Sequence, residues 1–160
     1  VTGVDDFYDD DNVRYTITVD PSSSIASFKT MTSSTVTGSN IDNDTAAIAI
    51  GAKSGNTSEF GTTATINVTL ATIPTANVSI VVTDNDSTEV SITPTTLTIT
   101  PSTWNTTNQV TLTGQDDSDN DGNITFRISF DNATSTDSNY NGMAPSPAYV
   151  DVINVDDYAD

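Results

Sequence analysis

Apolar and polar residues alternate along much of this chain with a period of two. In residues 124–130 the apolar set is Ile124, Phe126, Ile128 and Phe130, with polar side chains between them. In residues 65–70, Ile66, Val68 and Leu70 point one way and the threonines line the other face. Such alternation over short runs marks a strand with one face on a core and the other in water. Strands are predicted over 46–50, 63–70, 77–83, 89–93, 96–100, 109–113, 124–130 and 148–153. Threonine, valine and isoleucine dominate, and few residues suit a helix interior. Asp121-Gly122 and Asn141-Gly142 are strong turn dipeptides, and Pro74, Pro94 and Pro101 fall at strand ends, where a missing donor costs little. Trp104, the single tryptophan, is expected to pack at the core or its rim. Short strands between frequent turns predict an all-β, antiparallel two-sheet β-sandwich of Ig-like type.

The pattern also repeats. Val1–Asp20 lies over Leu112–Asp131 without a gap, 111 positions on. Thr2-Gly3 recurs as Thr113-Gly114, Asp5-Asp6 as Asp116-Asp117, and the alternating strand follows in register. A fixed internal offset is the mark of a tandem repeat. On this reading residues 45–160 are one complete β-sandwich repeat with an acidic linker. Residues 1–44 match only the C-terminal half of such a repeat. A lone half would expose strand edges and one core face, which proteins avoid. Its other half is therefore expected from upstream chain or from a neighbouring molecule. Asn40-Ile-Asp-Asn-Asp44 closes the half-repeat, and Asn154-Val-Asp-Asp157 closes the full one.

Charge changes the picture. There are 22 acidic residues against 4 basic ones, a formal net charge of -18, and all the acids but Glu59 and Glu89 are aspartates. Aspartate favours turns over helices, so the charge belongs to loops. Such a field repels nucleic acid and anionic membranes and suits hard divalent cations. The chain has no cysteine and no histidine. That removes disulfides, thiolate chemistry, a serine–histidine triad and most zinc or copper sites. No apolar run approaches membrane-spanning length, so membrane insertion is not expected. So acidic a composition also suits disorder, but the strand patterning is too regular for it.

Several pieces in order resemble the tandem Calx-beta-type repeats of large bacterial surface proteins. They are Thr57-Ser-Glu59, the strand from Gly61 to Leu70, the Pro-Ser-Thr-Trp-Asn stretch at 101–105, Thr113-Gly-Gln-Asp-Asp117, Ser138-Asn-Tyr-Asn-Gly142 and the closing acids at 154–157. The resemblance covers nearly all of 45–157, and its C-terminal half again in 1–44. It implies a two-sheet sandwich that binds Ca2+ at the end facing the next repeat. By the match Glu59 is the first-strand glutamate ligand, Asp116 and Asp117 the aspartate pair, and Asp156 and Asp157 the linker acids. Asp119 and Asp121 stand where the family often has glutamates, and Asp84 or Asp86 would supply the remaining loop ligand. In the half-repeat the equivalents are Asp5, Asp6, Asp9, Asp10 and Asp11, with Asp42 and Asp44 in the linker.

Electrostatics points the same way. At an effective dielectric of 20, two like charges about 4 Å apart cost about 4 kcal/mol, so gathered carboxylates need a counter-charge. Calcium takes roughly 6–8 oxygens and tolerates irregular loops, whereas magnesium demands a tighter octahedron. Residues 117–122 also fit the start of an EF-hand loop, but its twelfth position is Ile128 rather than glutamate, and the flanks are strands. A solvated acidic loop that binds nothing specific is the bland alternative. Asn-x-Ser/Thr triplets such as Asn56-Thr-Ser are expected by chance in this composition.

The expectation is a structural calcium-binding spacer of an extracellular or cell-surface fibre or adhesin, with neighbouring repeats or like subunits as partners and Ca2+ stiffening each junction. The alternative is an extracellular module for carbohydrate or another cell surface, using aromatics such as Phe7, Tyr8, Trp104, Tyr140 and Tyr149. Catalysis is not expected, because acids that repeat with the fold suit metal binding better than one tuned acid–base pair.

Overall fold

The computed structural model describes residues 1–117 and 120–156. The chain divides into two compact units, Val1–Asp44 and Thr45–Asp160.

The first unit is built on one antiparallel pair, β1 (Val13–Val19) and β2 (Ser34–Asn40), in register from Val13 opposite Asn40 to Val19 opposite Ser34. Their connection carries a single 3-10 turn, Ala26–Phe28. None of residues 1–44 is buried. β2 has one apolar side chain, Val36, so it carries no alternation of its own and takes strand form through its ladder to β1.

The second unit is all β. Its described strands are β3 (Ile48–Ile50), β4 (Thr57–Ser58), β5 (Thr63–Leu70), β6 (Val78–Asp84), β7 (Val90–Thr93), β8 (Thr96–Ile99), β9 (Asn108–Gly114), β10 (Ile124–Phe130) and β11 (Tyr149–Val155). They form two sheets, one ordered β4-β11-β10-β6-β8 and the other β3-β5-β9-β7. All pairings are antiparallel except β11 with β4. The predicted strands 63–70 and 124–130 coincide with β5 and β10, and the other six differ at their ends by one or two residues. β4 is the strand the alternation misses. Two residues, Thr57 and Ser58, have no period to read, and the parallel pairing to Asn154 and Val155 is what makes them a strand.

The core forms where the inward rows of the two sheets meet. Ile66, Val68, Val110 and Leu112 come from one sheet; Val78, Ile80, Phe126, Ile128 and Val152 come from the other, all at 1% exposure or less. Each such side chain contributes about 1.5–3 kcal/mol of burial free energy. Trp104 is partly buried and packs against this cluster. Tyr140, in the connection before β11, is fully buried; its hydroxyl accepts from Thr72 N (3.1 Å) and donates to Thr72 O (2.8 Å). That pins a long connection to the core without leaving a buried polar group unpaired.

Candidate metal centre

The strand ladders decide which acids meet. β7 pairs with β9 so that Val90 opposes Gly114. Glu89, one residue before β7, then lies beside Gln115, whose amide donates to Glu89 O (3.0 Å). The chain continues from Gln115 into Asp117, and Asp121 stands just before β10. Carboxylate oxygens of Glu89, Asp117 and Asp121 lie within 4.8 Å of one another. Oxygens on opposite sides of a bound calcium ion are about 4.6–5.2 Å apart, twice the usual ligand distance, so this spacing fits that ion.

Glu89 is buried, Asp117 is half-buried and Asp121 is exposed. Burial raises the Glu89 carboxyl above the ordinary range; the charges of Asp121, Asp86 and Asp117 push it the same way, and the Asn154 bond opposes them. Asn154, buried on β11, donates from Nδ2 to Glu89 Oε2 (3.1 Å) and to Gln115 O (3.1 Å). One amide thus ties the glutamate to the loop that bears Asp117. Its Oδ1 faces Gly114 and has no hydrogen-bond partner among the described residues. A Cβ at position 114 would collide with that oxygen and with Ser58 O, so glycine is required there.

Asp156 shapes the same loop. Its Oδ2 accepts from Gly122 N (2.8 Å), and its own amide donates to Asn123 Oδ1 (3.1 Å). Gly122 has φ +78°, which favours glycine.

The same bonds recur in the first unit. Asp42 Oδ2 accepts from Asp11 N (2.9 Å), and Asp42 N donates to Asn12 Oδ1 (2.9 Å). Asp11 has φ +66°, at the position matching Gly122. Asn40 Nδ2 donates to Val4 O (3.2 Å), as Asn154 does to Gln115 O. Val13 opposes Asn40 as Ile124 opposes Asn154. The match therefore runs 111 positions on through β1 and its preceding loop, and 114 positions on through β2.

Asp5, Asp6, Asp10, Asp11, Asp42 and Asp44 line one hollow in this unit. Asp42 accepts from the amides of Asp44, Asp10 and Asp11, which hold its carboxyl below the usual range, the Asp44 bond most. Asp44 shifts upward through partial burial and the charges of Asp42, Asp5, Asp6 and Asp9. Asp6 and Asp10 are the counterparts of Asp117 and Asp121; position 89 has no counterpart within residues 1–44.

The acids expected from sequence are thus sorted. Asp117 and Asp121 join the close group, and Asp156 holds its loop. Asp116 is exposed beside the group rather than within it. Of Asp84 and Asp86, it is Asp86 whose charge acts on Glu89; Asp84 ends β6. Glu59 is buried just after β4, with its amide donating to Val155 O (3.1 Å). The glutamate in the described group is Glu89. Asp119 and Asp157 lie outside the described residues. Sequence reading missed Glu89 and Asn154 as partners, although Asn154 opens the closing acidic motif. Nothing local marks Glu89, because its place depends on the β7–β9 register.

The class of molecule defined so far is an all-β sandwich unit with a carboxylate group at the ends of β7, β9 and β10. No protein-family model matches the chain, and no curated protein matches it.

Proposed function

We propose that the chain is a structural, calcium-binding spacer from a tandem array, part of an extracellular fibre or adhesin. The observation that carries this reading is the set of three carboxylates, Glu89, Asp117 and Asp121, with oxygens within 4.8 Å. Three carboxylates at that spacing repel strongly unless a cation joins them. Hard oxygen donors with no histidine or cysteine nearby favour calcium over transition metals. The recurrence of the loop clamp, Asp42 in one unit and Asp156 in the other, supports a repeated site rather than a single catalytic pair.

Without the ion, the acidic loops repel one another and the unit's end loosens. With it, the loop after β9 is drawn against the start of β7, and the residues that lead out of β11 are fixed through Asp156. Extracellular modules bind calcium with dissociation constants of about 10⁻⁴–10⁻³ M, which suits calcium levels outside cells. Neighbouring repeats, or like subunits in a fibre, are the partners on this reading.

The test is calorimetric titration with Ca2+, together with melting in chelator. The wild-type chain is expected to bind Ca2+ and to melt lower in chelator. The double variant Asp117→Asn, Asp121→Asn should lose the titration signal and the calcium-dependent part of the melting shift. Equal melting with and without calcium in the wild-type chain would reject the proposal.

A further inference from the structure

The β1–β2 hairpin presents an apolar row that its own unit does not cover. Tyr15, Ile17 and Val19 are 38%, 37% and 59% exposed, whereas their counterparts Phe126, Ile128 and Phe130 are 1%, 0% and 4% exposed. The difference comes from what lies over the row, not from the row itself. β10 has β11 on one edge and β6 on the other, with Ile128 opposite Asp84 and Phe130 opposite Val82. Among the described residues β1 pairs with β2 alone, in a two-stranded sheet. A two-stranded hairpin with one bare apolar face is marginal by itself, and a free edge next to apolar side chains invites a further strand.

We propose that this face and the free edge of β1 are an acceptor for a polypeptide segment of the same kind as residues 45–111, bound as 45–111 is bound to β10 and β11. The second unit is the template. Such a segment brings an alternating strand like β6, whose buried Val78, Ile80 and Val82 continue the apolar row of β10 on the same face of one sheet, and strands like β3 and β5 of the sheet that packs over that face. It seats the β6-like strand along β1 in the register Ile17, Thr18, Val19, which matches Ile128, Ser129, Phe130.

Two details of the hairpin fit an acceptor. Tyr15 stands opposite Gly38, where the second unit has Phe126 opposite Val152, and its ring lies over the glycine. The larger aromatic compensates for the missing side chain, so a bulky, continuous apolar row is kept. Asn40 holds Val4 O as Asn154 holds Gln115 O. Its amide is therefore set to donate to an incoming carboxylate at the place of Glu89. That carboxylate would join Asp6 and Asp10, completing the trio that Glu89 makes with Asp117 and Asp121. The packing does not depend on a metal; only the last step rests on the calcium reading.

The test grafts a second copy of residues 45–111 ahead of Val1 and follows amide hydrogen exchange in chelator, so that failure of the calcium reading leaves it intact. The β1 amides, Val13–Val19, should slow by about 100-fold or more relative to the ungrafted chain, as expected when a frayed element joins a cooperative core. Ile80→Asp with Val82→Asp in the added copy alone should abolish the slowing, while β10 amides report that the second unit stays folded. Unchanged β1 exchange beside a protected β10 overturns the proposal. Slowing that appears in the ungrafted chain as concentration rises also overturns it, because the occupant would then be a second hairpin. A peptide of residues 76–93 added to the ungrafted chain gives an independent arm: saturable protection of β1, lost in Ile17→Asp, is expected, and no protection overturns the proposal.

Discussion

Residues 1–44 and residues 112–156 carry nearly the same local design, yet only one of them is a core. Both have an aspartate-rich loop, a left-handed residue held by an aspartate clamp, and a strand pair in matching register. Ile128 is sealed from water and Ile17 is not. Loop shape and strand pairing are thus set by bonds that each copy makes within itself. Burial is set by residues 45–111, which lie over the second copy. The hydrophobic free energy of a half-sandwich is not in its own sequence; it depends on apolar area that another segment must cover.

The strongest way to break this comparison is to place a charge in each row. Ile128→Asp buries an uncompensated carboxylate and is predicted to cost more than about 4 kcal/mol, enough to prevent folding of the second unit. Ile17→Asp should stay within about 0.5 kcal/mol in the unmodified chain. Urea denaturation followed by circular dichroism separates the two, and equal costs would show that the first unit has a core after all.

The buried amide comes next. Asn154→Ala removes the donor to Glu89 and to Gln115 O, at about 2 kcal/mol. Asn40→Ala loses one exposed bond and should cost about 0.5 kcal/mol. Thermal melting of the two variants is the check; the order reverses only if Asn154 is not the clamp.

Glycine sharpens the loops. Gly122→Ala forces a side chain into the left-handed region and should cost about 1 kcal/mol. Asp11→Gly relieves the same constraint and should stabilise its loop by a few tenths to about 1 kcal/mol. Local exchange rates of the loop amides read both effects.

The smallest effect is the pH dependence of the metal-free second unit. The folded-state pKa of Glu89 is raised, so the folded form takes up the proton more readily. The stability it contributes is fully present below the unfolded glutamate pKa and is lost as pH rises through the raised folded value. In chelator, melting should therefore fall as pH climbs across that window. Glu89→Gln should flatten the dependence, and saturating calcium should suppress it. An unchanged profile in Glu89→Gln would assign the dependence to other groups.

Much of this architecture is legible in one dimension. The alternation at 63–70 and 124–130 gives two central strands to the residue, because a period of two depends only on neighbours along the chain. Asp121-Gly122 announces its left-handed turn, and the offset of 111 positions announces the recurrence that the loop clamps display. What the sequence could not decide is which distant acids come together. Glu59 and Glu89 are both buried glutamates, and neither carries a local mark of its place. The antiparallel register of β7 on β9 puts Glu89 beside Asp117, and the ladder of β10 to β11 brings Asn154 to hold it. Where side chains alternate, strand identity is a short-range property of their order, whereas β2 and β4 owe theirs to the strands they pair with. A carboxylate group and a core are long-range ones, fixed only when segments far apart in the chain pack and their ladders lock.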